Sequence, residues 1–488
     1  MFRTLSKNNK HSILVLGVPL AILFSNFQNT FCFELSESLY SIFNFPQQNI
    51  ITFYDIYSVK KELTAKYSYH DIYRKRINSS PALIRLDNVF FFYRFFPFKF
   101  NNINQAIQVK INSNKFRFSN ENDRSSVIGT SDLSGITSSI RWSITHGIGL
   151  AGVGLDLKSN EGESDFNIVS FPTSDNEAMN SFFLDWLEPT FGRDLKCKYS
   201  VNSYRFIAWG STPLRESYRL SLSVSRLTGE NNLQMNYTNS TNKIELNGKR
   251  RLDIPVQNRE TIISLSLHSS DRVLHVLEAG IIISNLKLNM DNNRTYLLDY
   301  ESLGGGDFSR SGLFVNCILN CGLYKIWGGL SGASYSSEFD FNTPVLGFYK
   351  GIAPISHGAK GQLSKSSSFS QRLGGEVKIN VRRITNNISL SYTHARYWFW
   401  VTGEAELEFG LVSTSIDYPV NIDANLWDVA YELRYPTKLF DICYRIQQIV
   451  PLFKRLDESP IKMRRDIPEL KISNRGGQVH EFYISLFF

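Results

Sequence analysis

Residues 427–435 read WDVAYELRY, and this stretch decides the fold class of the chain. Its odd positions carry large apolar side chains, whereas its even positions include Asp428, Glu432 and Arg434. Successive side chains of a β-strand point to opposite faces, so this period of two predicts a strand with one apolar and one polar face.

The same alternation recurs from about Phe90 to the end of the chain. Such strands could form a soluble β-sandwich with the apolar faces inward or a membrane barrel with the apolar faces outward. The pattern alone does not choose between these two arrangements. Strands that cross a bilayer must close into a barrel, because unpaired backbone groups at an open edge cost several kcal/mol each. Further alternating runs lie at 107–111, 136–145, 199–208, 218–225, 263–268, 286–290, 376–382, 388–392 and 404–411.

Two aromatic runs and the polar faces favour the membrane interpretation. The runs at 90–93 and 397–400 are of the kind found at membrane interfaces, and aromatic residues make up 14% of the chain. A mean hydropathy of −0.20 argues against a helical membrane protein. The net charge of +8 comes from Lys and Arg spread along the chain, which argues against nucleic-acid binding.

The fold predicted from these observations is all-β. We expect a closed antiparallel up-and-down transmembrane β-barrel of roughly 12 to 18 strands, at about ten residues per crossing. A small, partly helical N-terminal segment should precede it. Helical loop inserts are predicted at 178–187 and 439–453, and polar segments between strands at 158–163 and 336–342. The Ser-rich and Gly-rich stretch 356–371 is predicted to be a mobile loop.

The N-terminus has the pattern of a secretory signal. Three basic residues precede the apolar run 12–24, which is shorter than the roughly 20 residues of a spanning helix. An uncleaved anchor or a buried helix is the alternative. The predicted organisation is a signal peptide over 1–32, a periplasmic or lumenal segment over 33–87, and the barrel over 88–488.

The C-terminal strand ends in Phe488, with Phe482, Ile484 and Leu486 at alternate positions before it. This pattern resembles the terminal strand of bacterial outer-membrane β-barrel proteins, which the barrel-assembly machinery reads. The resemblance implies that these four residues form an assembly signal, with outer-membrane lipid and that machinery as partners. It implies the cell outer membrane as location, with a mitochondrial or plastid outer membrane as the alternative.

Charged residues on two predicted strands are candidates for lining a lumen. A ring of acidic side chains sets ion preference in a pore, whereas solvated charge at loop ends is the equally open alternative. The lumen-facing candidates are Glu404, Glu406, Glu408, Asp428, Glu432 and Arg434.

Catalytic motifs are weak. Ser264, Ser266 and His268 share one strand face, so a Ser–His pair of a lipid-modifying hydrolase is conceivable, but no third orienting group can be placed. The GxGxxG match at 147–152 is better explained by small residues where strands pack closely. We therefore predict no catalytic residue, no metal and no cofactor.

The function predicted from the sequence is passage of small solutes or lipids across the outer membrane. The ligand itself is unknown. The alternatives are a structural or receptor barrel without transport, an outer-membrane lipid-modifying enzyme, an organelle outer-envelope barrel, and a soluble periplasmic β-protein.

Overall fold

The structure is a computed structural model, and it describes most of the chain from Glu62 to Phe487. The described residues are 62–74, 83–96, 99–100, 103–120, 127–146, 149–168, 172–173, 194–215, 217–238, 249–269, 273–289, 293–295, 300–349, 353–407, 412–455, 462–463 and 472–487. The predicted signal peptide, the first part of the predicted N-terminal segment, the predicted insert at 178–187, Glu408 and Phe488 lie outside these ranges.

The described part of the chain is all β-strand. Sixteen of its strands have 13 residues or more, which agrees with the predicted range of 12 to 18. The strands are β1 (Glu62–Arg74), β2 (Leu83–Phe95), β3 (Lys99–Phe100), β4 (Ile103–Asn120), β5 (Val127–His146), β6 (Gly149–Ile168), β7 (Pro172–Thr173), β8 (Asp194–Arg215), β9 (Tyr218–Thr238), β10 (Lys249–His268), β11 (Leu274–Asn289), β12 (Asn293–Thr295), β13 (Tyr300–Cys321), β14 (Tyr324–Tyr349), β15 (Ala353–Val381), β16 (Ile384–Leu407), β17 (Val412–Pro436), β18 (Phe440–Arg455), β19 (Lys462–Met463) and β20 (Ile472–Phe487).

The long strands pair antiparallel with their neighbours in the chain, in an up-and-down order. Short turns join them at one end of the sheet. Gly322 has a φ of 78° in the turn between β13 and β14, a left-handed conformation that glycine adopts without strain. The longer connections lie at the other end, and two of them meet where β7 pairs with β19. β1 pairs with β2 along one edge and with β20 along the other.

Several local predictions are wrong. The predicted helix 439–453 lies almost wholly in strand β18, and the predicted mobile loop 356–371 lies in β15. The predicted inter-strand segments 158–163 and 336–342 lie in β6 and β14. The strands are therefore longer than the ten residues expected per crossing, and the polar segments predicted between strands are parts of the strands themselves.

The sheet also begins earlier than expected. β1 starts at Glu62 and β2 at Leu83, both before the predicted barrel boundary at residue 88. A helical N-terminal segment is not seen in the described part of the chain. Among the described residues, no helix has the length and apolar character needed to cross a membrane.

Burial in this sheet is reversed relative to a soluble β-protein. We call the side that carries Ile140, Leu222 and Trp427 the apolar face. These side chains are 49%, 51% and 43% exposed. The opposite side is called the polar face, and its Ser143, Ser223 and Asp428 are buried. The alternation predicted from the sequence is thus present, with the apolar side outermost.

The two aromatic runs are divided between the faces. Phe91, Tyr93 and Trp400 are exposed on the apolar face, whereas Phe92 and Phe399 are buried on the polar face. Only every second residue of each run is therefore available to a membrane interface.

Glycines on the polar face make room for large side chains directly across the strand pair. Gly280 lies opposite Phe314, and a Cβ at Gly280 would come within 2.5 Å of the Phe314 ring. Gly374 lies opposite Trp327, and a Cβ at Gly374 would come within 2.4 Å of the Trp327 ring. Gly152, from the GxGxxG match, lies opposite Trp209, and a Cβ at Gly152 would come within 2.3 Å of the Trp209 ring. The close-packing explanation of that match fits this geometry.

We predict that Gly280→Ala destabilises the sheet by about 1–3 kcal/mol, because the added methyl group overlaps the buried Phe314 ring. The measurement is the urea midpoint of the detergent-solubilised protein, followed by tryptophan fluorescence. Gly210→Ala is the matched control, since a Cβ there meets nothing within 4 Å. Equal midpoints for the two variants would contradict the packing argument.

Candidate functional site

Three adjacent strands bring charged side chains together on the polar face. β17 contributes three of the residues, β18 two and β20 one. We call this set the charged wall, and it consists of Asp428, Glu432, Arg434, Asp441, Arg445 and Glu481.

One row of the charged wall alternates in sign across the strands. Glu432 lies opposite Arg445, and Arg445 lies opposite Glu481. Arg445 Nη1 is 3.7 Å from Glu481 Oε2, and the Glu481 side chain is 5% exposed. Asn387 of β16 extends the row by donating a hydrogen bond from Nδ2 to Glu432 Oε1 at 3.0 Å. Each carboxylate of this row therefore has a polar neighbour on an adjacent strand.

The other arginine of the charged wall holds a buried carboxylate near the short-turn end. Both Nε and Nη2 of Arg434 donate to Asp441 Oδ2, the Nε bond at 3.0 Å. The Asp441 side chain is 3% exposed and that of Arg434 40%. This pairing lets a carboxylate remain charged in a buried position, because a charge-assisted bond offsets part of its lost hydration.

Acidic groups outnumber basic ones in the charged wall. Asp428, Glu432, Asp441 and Glu481 face two arginines, Arg434 and Arg445. With all six groups ionised, the wall is negative overall. A negative surface attracts cations and repels anions, which is the arrangement that gives charge preference to a passage.

The acidic residues of β16 lie far from the charged wall. Glu404 pairs with Ser415 and Glu406 with Ser413, whereas Asp428 pairs with Ser391, near the other end of β16. The six residues predicted as one lumenal patch are therefore not brought together. Asp428, Glu432 and Arg434 form part of the wall, Glu404 and Glu406 lie in the part of β16 near the longer connections, and Glu408 is outside the described residues.

Three residues of the charged wall were missed in the sequence. Asp441 and Arg445 fall in the stretch 439–453, for which the sequence predicts a helix, and Glu481 directly precedes Phe482 of the predicted assembly signal. The polar or small residues at the odd positions of 441–447, between Ile442, Tyr444 and Ile446, were a signal that could have revealed them.

The predicted assembly-signal residues of β20 lie on the apolar face. Phe482, Ile484 and Leu486 are all exposed. Each has an apolar or aromatic partner on β18, since they pair with Tyr444, Ile442 and Phe440. The terminal strand thus continues the apolar face of its neighbour.

The Ser–His pair considered as a hydrolase site is present as a contact. Ser266 Oγ is 2.7 Å from His268 Nε2. Ser264 and Ser266 are buried, at 1% and 2% exposure, and both lie on the polar face. The hydroxyl groups are therefore directed away from the apolar face, where a bilayer lipid would lie.

Comparisons with known proteins give a resemblance of class. No protein-family model and no curated protein matches the chain. Solved structures do match, and three of these have TM-scores between 0.33 and 0.35. The ferric-catecholate import receptor Fiu from E. coli K12 has a TM-score of 0.33 at 10% identity, over 88% of this chain and 82% of that one. The TodX monoaromatic hydrocarbon channel has a TM-score of 0.35 at 10% identity, over 88% and 89%.

A Pseudomonas aeruginosa FadL homologue has a TM-score of 0.34 at 10% identity, over 88% of this chain and 90% of that one. At the level of class, the chain resembles bacterial outer-membrane β-barrel proteins. TM-scores this low support no statement about a ligand or an activity. The assignment of the charged wall therefore depends only on the geometry described above.

We predict that Arg434→Met destabilises the protein by about 2–3 kcal/mol, because it leaves the buried Asp441 carboxylate without its arginine. The double variant Arg434→Met/Asp441→Asn should recover part of the loss, as measured in a double-mutant cycle of urea midpoints. Lys198→Gln removes an exposed pair with Glu163 and should change stability by less than about 1 kcal/mol. A loss for Arg434→Met no larger than that of this control would contradict the role of the pair.

Proposed function

We propose that the chain is a closed transmembrane β-barrel of a bacterial-type outer membrane that lets small polar solutes pass along its polar face. The observation that carries the proposal is the reversed burial. Large apolar side chains such as Leu313 and Leu373 are 66% and 65% exposed, whereas serines and charged groups are buried. In water this arrangement would be costly, but against acyl chains the exposed apolar side is the stable one.

The strand pairing supports closure. β1 pairs with β2 from Glu62 to Tyr73 and with β20 from Glu62 to Arg74, so both of its edges are used. In a bilayer a strand with a free edge would leave a row of backbone groups without partners. A ring in which the last long strand returns to the first avoids that cost.

The height of the apolar band supports a membrane position. On β16 the exposed apolar side chains near the short turn are Ile384, Ile388 and Leu390, and the partly buried Tyr392 follows them. Nine residues of strand span roughly 30 Å, or about 23 Å when tilted by about 40°. This height is close to the band of about 25 Å found on outer-membrane barrels. Beyond it His394 and Arg396 interrupt the apolar face of β16, and the exposed Trp400 follows them.

The charged wall is the part of the polar face that we assign to selection. Its excess of carboxylates would favour cations over anions in a narrow aqueous path. In this assignment Phe482, Ile484, Leu486 and Phe488 serve barrel assembly, and no residue has a catalytic role.

A structural or receptor barrel without transport is the second candidate. Two clusters of apolar side chains are buried on the polar face, Leu150 with Ile207 and Trp209, and Ile262 with Ile282 and Phe314. Side chains of this size narrow the space that the strands enclose. A barrel whose interior is filled by side chains would give no conductance across a planar bilayer.

The first experiment tests the membrane barrel itself. The full chain, extracted in detergent, should migrate faster on a gel before boiling than after, because a closed barrel resists unfolding by cold detergent. Release into buffer without detergent would contradict the proposal.

We predict cation-preferring conductance for the purified protein in planar bilayers. Replacing two carboxylates of the charged wall, in Asp428→Asn/Glu481→Gln, should lower the ratio of cation to anion permeability several-fold. Glu163→Gln is the matched control, since Glu163 is an exposed carboxylate paired with Lys198 on the apolar side of the sheet. An unaltered permeability ratio would show that the charged wall does not select ions. Absence of conductance in a protein that still migrates faster before boiling would favour the structural or receptor barrel without transport.

A further inference from the structure

A polar hollow lies on the apolar face, just beyond the apolar band. Its volume is about 600 Å³, and strands β10, β11, β13, β14 and β15 contribute to it. Arg259, Lys287, Asp307 and Glu338 are its charged residues, and all four side chains are exposed. A site on this face of a membrane barrel would meet lipid and not the transported solute.

The register separates the charges of the hollow by sign. Arg259 is on β10 and Lys287 on β11, at positions two residues apart in the pairing of these strands. Asp307 on β13 lies opposite Glu338 on β14. The hollow thus has a cationic half and an anionic half, and its charges sum to zero.

Small polar side chains lie between the two halves. Asn285 pairs with both Arg259 and Ser309, and Ser309 Oγ is 2.6 Å from Ser336 Oγ. These residues offer hydrogen-bond donors and acceptors while leaving space above them. The floor of the hollow is therefore shaped for a polar group of mixed charge.

The four charges remain available to a ligand. Lys287 lies opposite Asp307 in the register, yet within the described residues no ion pair joins any of the four. Elsewhere on the same side of the sheet, charges beyond the apolar band do pair, as Lys196 does with Asp165 at 3.1 Å and Arg117 with Asp132 at 3.3 Å.

The surface next to the hollow is apolar. One row nearer to the short turns, Ile283 is 47% exposed, and in the following row Leu313 is 66% exposed. A molecule with its polar end in the hollow would lay its remaining length along these side chains. The ligand that fits is therefore amphipathic.

We propose that the hollow binds the headgroup of a zwitterionic phospholipid whose acyl chains lie on the apolar band. Arg259 and Lys287 receive the phosphate, and Asp307 and Glu338 receive the ammonium group. A guanidinium and an ammonium are the usual protein partners of a phosphate, and a carboxylate pair suits a primary amine. This inference rests on the membrane position proposed above, and it adds a lipid site outside the solute path.

The proposal distinguishes between lipid classes. An anionic headgroup without an amine would satisfy the cationic half and leave the two carboxylates facing it. Phosphatidylethanolamine should therefore bind more tightly than phosphatidylglycerol, although the latter has the larger net negative charge.

The test is native mass spectrometry of the full chain in detergent micelles with added phosphatidylethanolamine or phosphatidylglycerol. Arg259→Gln/Lys287→Gln should weaken retention of phosphatidylethanolamine about tenfold. Asp307→Asn/Glu338→Gln should reverse the preference, so that phosphatidylglycerol binds more tightly than phosphatidylethanolamine. The matched control is Lys196→Gln/Lys198→Gln, which removes two exposed cations from the same side of the sheet and should leave retention unchanged.

Equal retention by the cation variant and its control would overturn the proposal, and so would an unaltered lipid preference in the acid variant. Gel migration of every variant, measured before and after boiling, separates a failure of the lipid-site proposal from a failure of the barrel proposal. A protein that migrates as a barrel but ignores lipid class refutes the lipid site alone, whereas a protein without that behaviour refutes the membrane position as well.

Discussion

The pairing of backbone N–H and C=O groups between strands is the constraint on which the rest of the structure depends. A chain that shows apolar side chains to its surroundings cannot rely on solvent to satisfy its backbone there. The ladder from β1 through β20 meets this requirement, because each long strand bonds to two neighbours and β1 bonds to both β2 and β20. Side chains are then free to differ between the two faces.

On the polar face, the packing of side chains depends on specific cross-strand neighbours. Large side chains and charges share a confined space, so each needs a specific neighbour. Phe314 lies over Gly280, and Asp441 is held by Arg434. These are direct or near-direct cross-strand relations, which means that the register decides whether a bulky or charged residue is tolerated. A shift by one residue would move the same groups to the apolar face.

The sequence predicted the faces of the strands well and their ends poorly. The alternation of 427–435 predicts opposite faces for Trp427 and Asp428, and the structure has Trp427 exposed and Asp428 buried, because successive side chains of a strand point to opposite sides. The stretch 439–453 was misread because Ile442, Ile446 and Val450 are four residues apart, a spacing that suits a helix and one face of a strand alike. For the stretch 356–371 the sequence predicts a loop, because it is rich in Ser, Gly and Lys and contains only two large apolar residues, Leu363 and Phe369. The row of Glu432, Arg445 and Glu481 joins three strands, and a single sequence contains no information on their register.

The length of the strands has a consequence for what reaches the membrane. β15 has 29 residues, which corresponds to roughly 95 Å of extended chain, and among its described side chains the exposed large apolar ones are Phe369, Leu373, Ile379 and Val381. In the proposed membrane position, the sixteen residues of β15 before Phe369 would extend beyond the lipid on one side. A molecule arriving from that side of the proposed barrel would then meet the ends of the strands before it reached the level of the lipid, so that capture and crossing would occur at different heights.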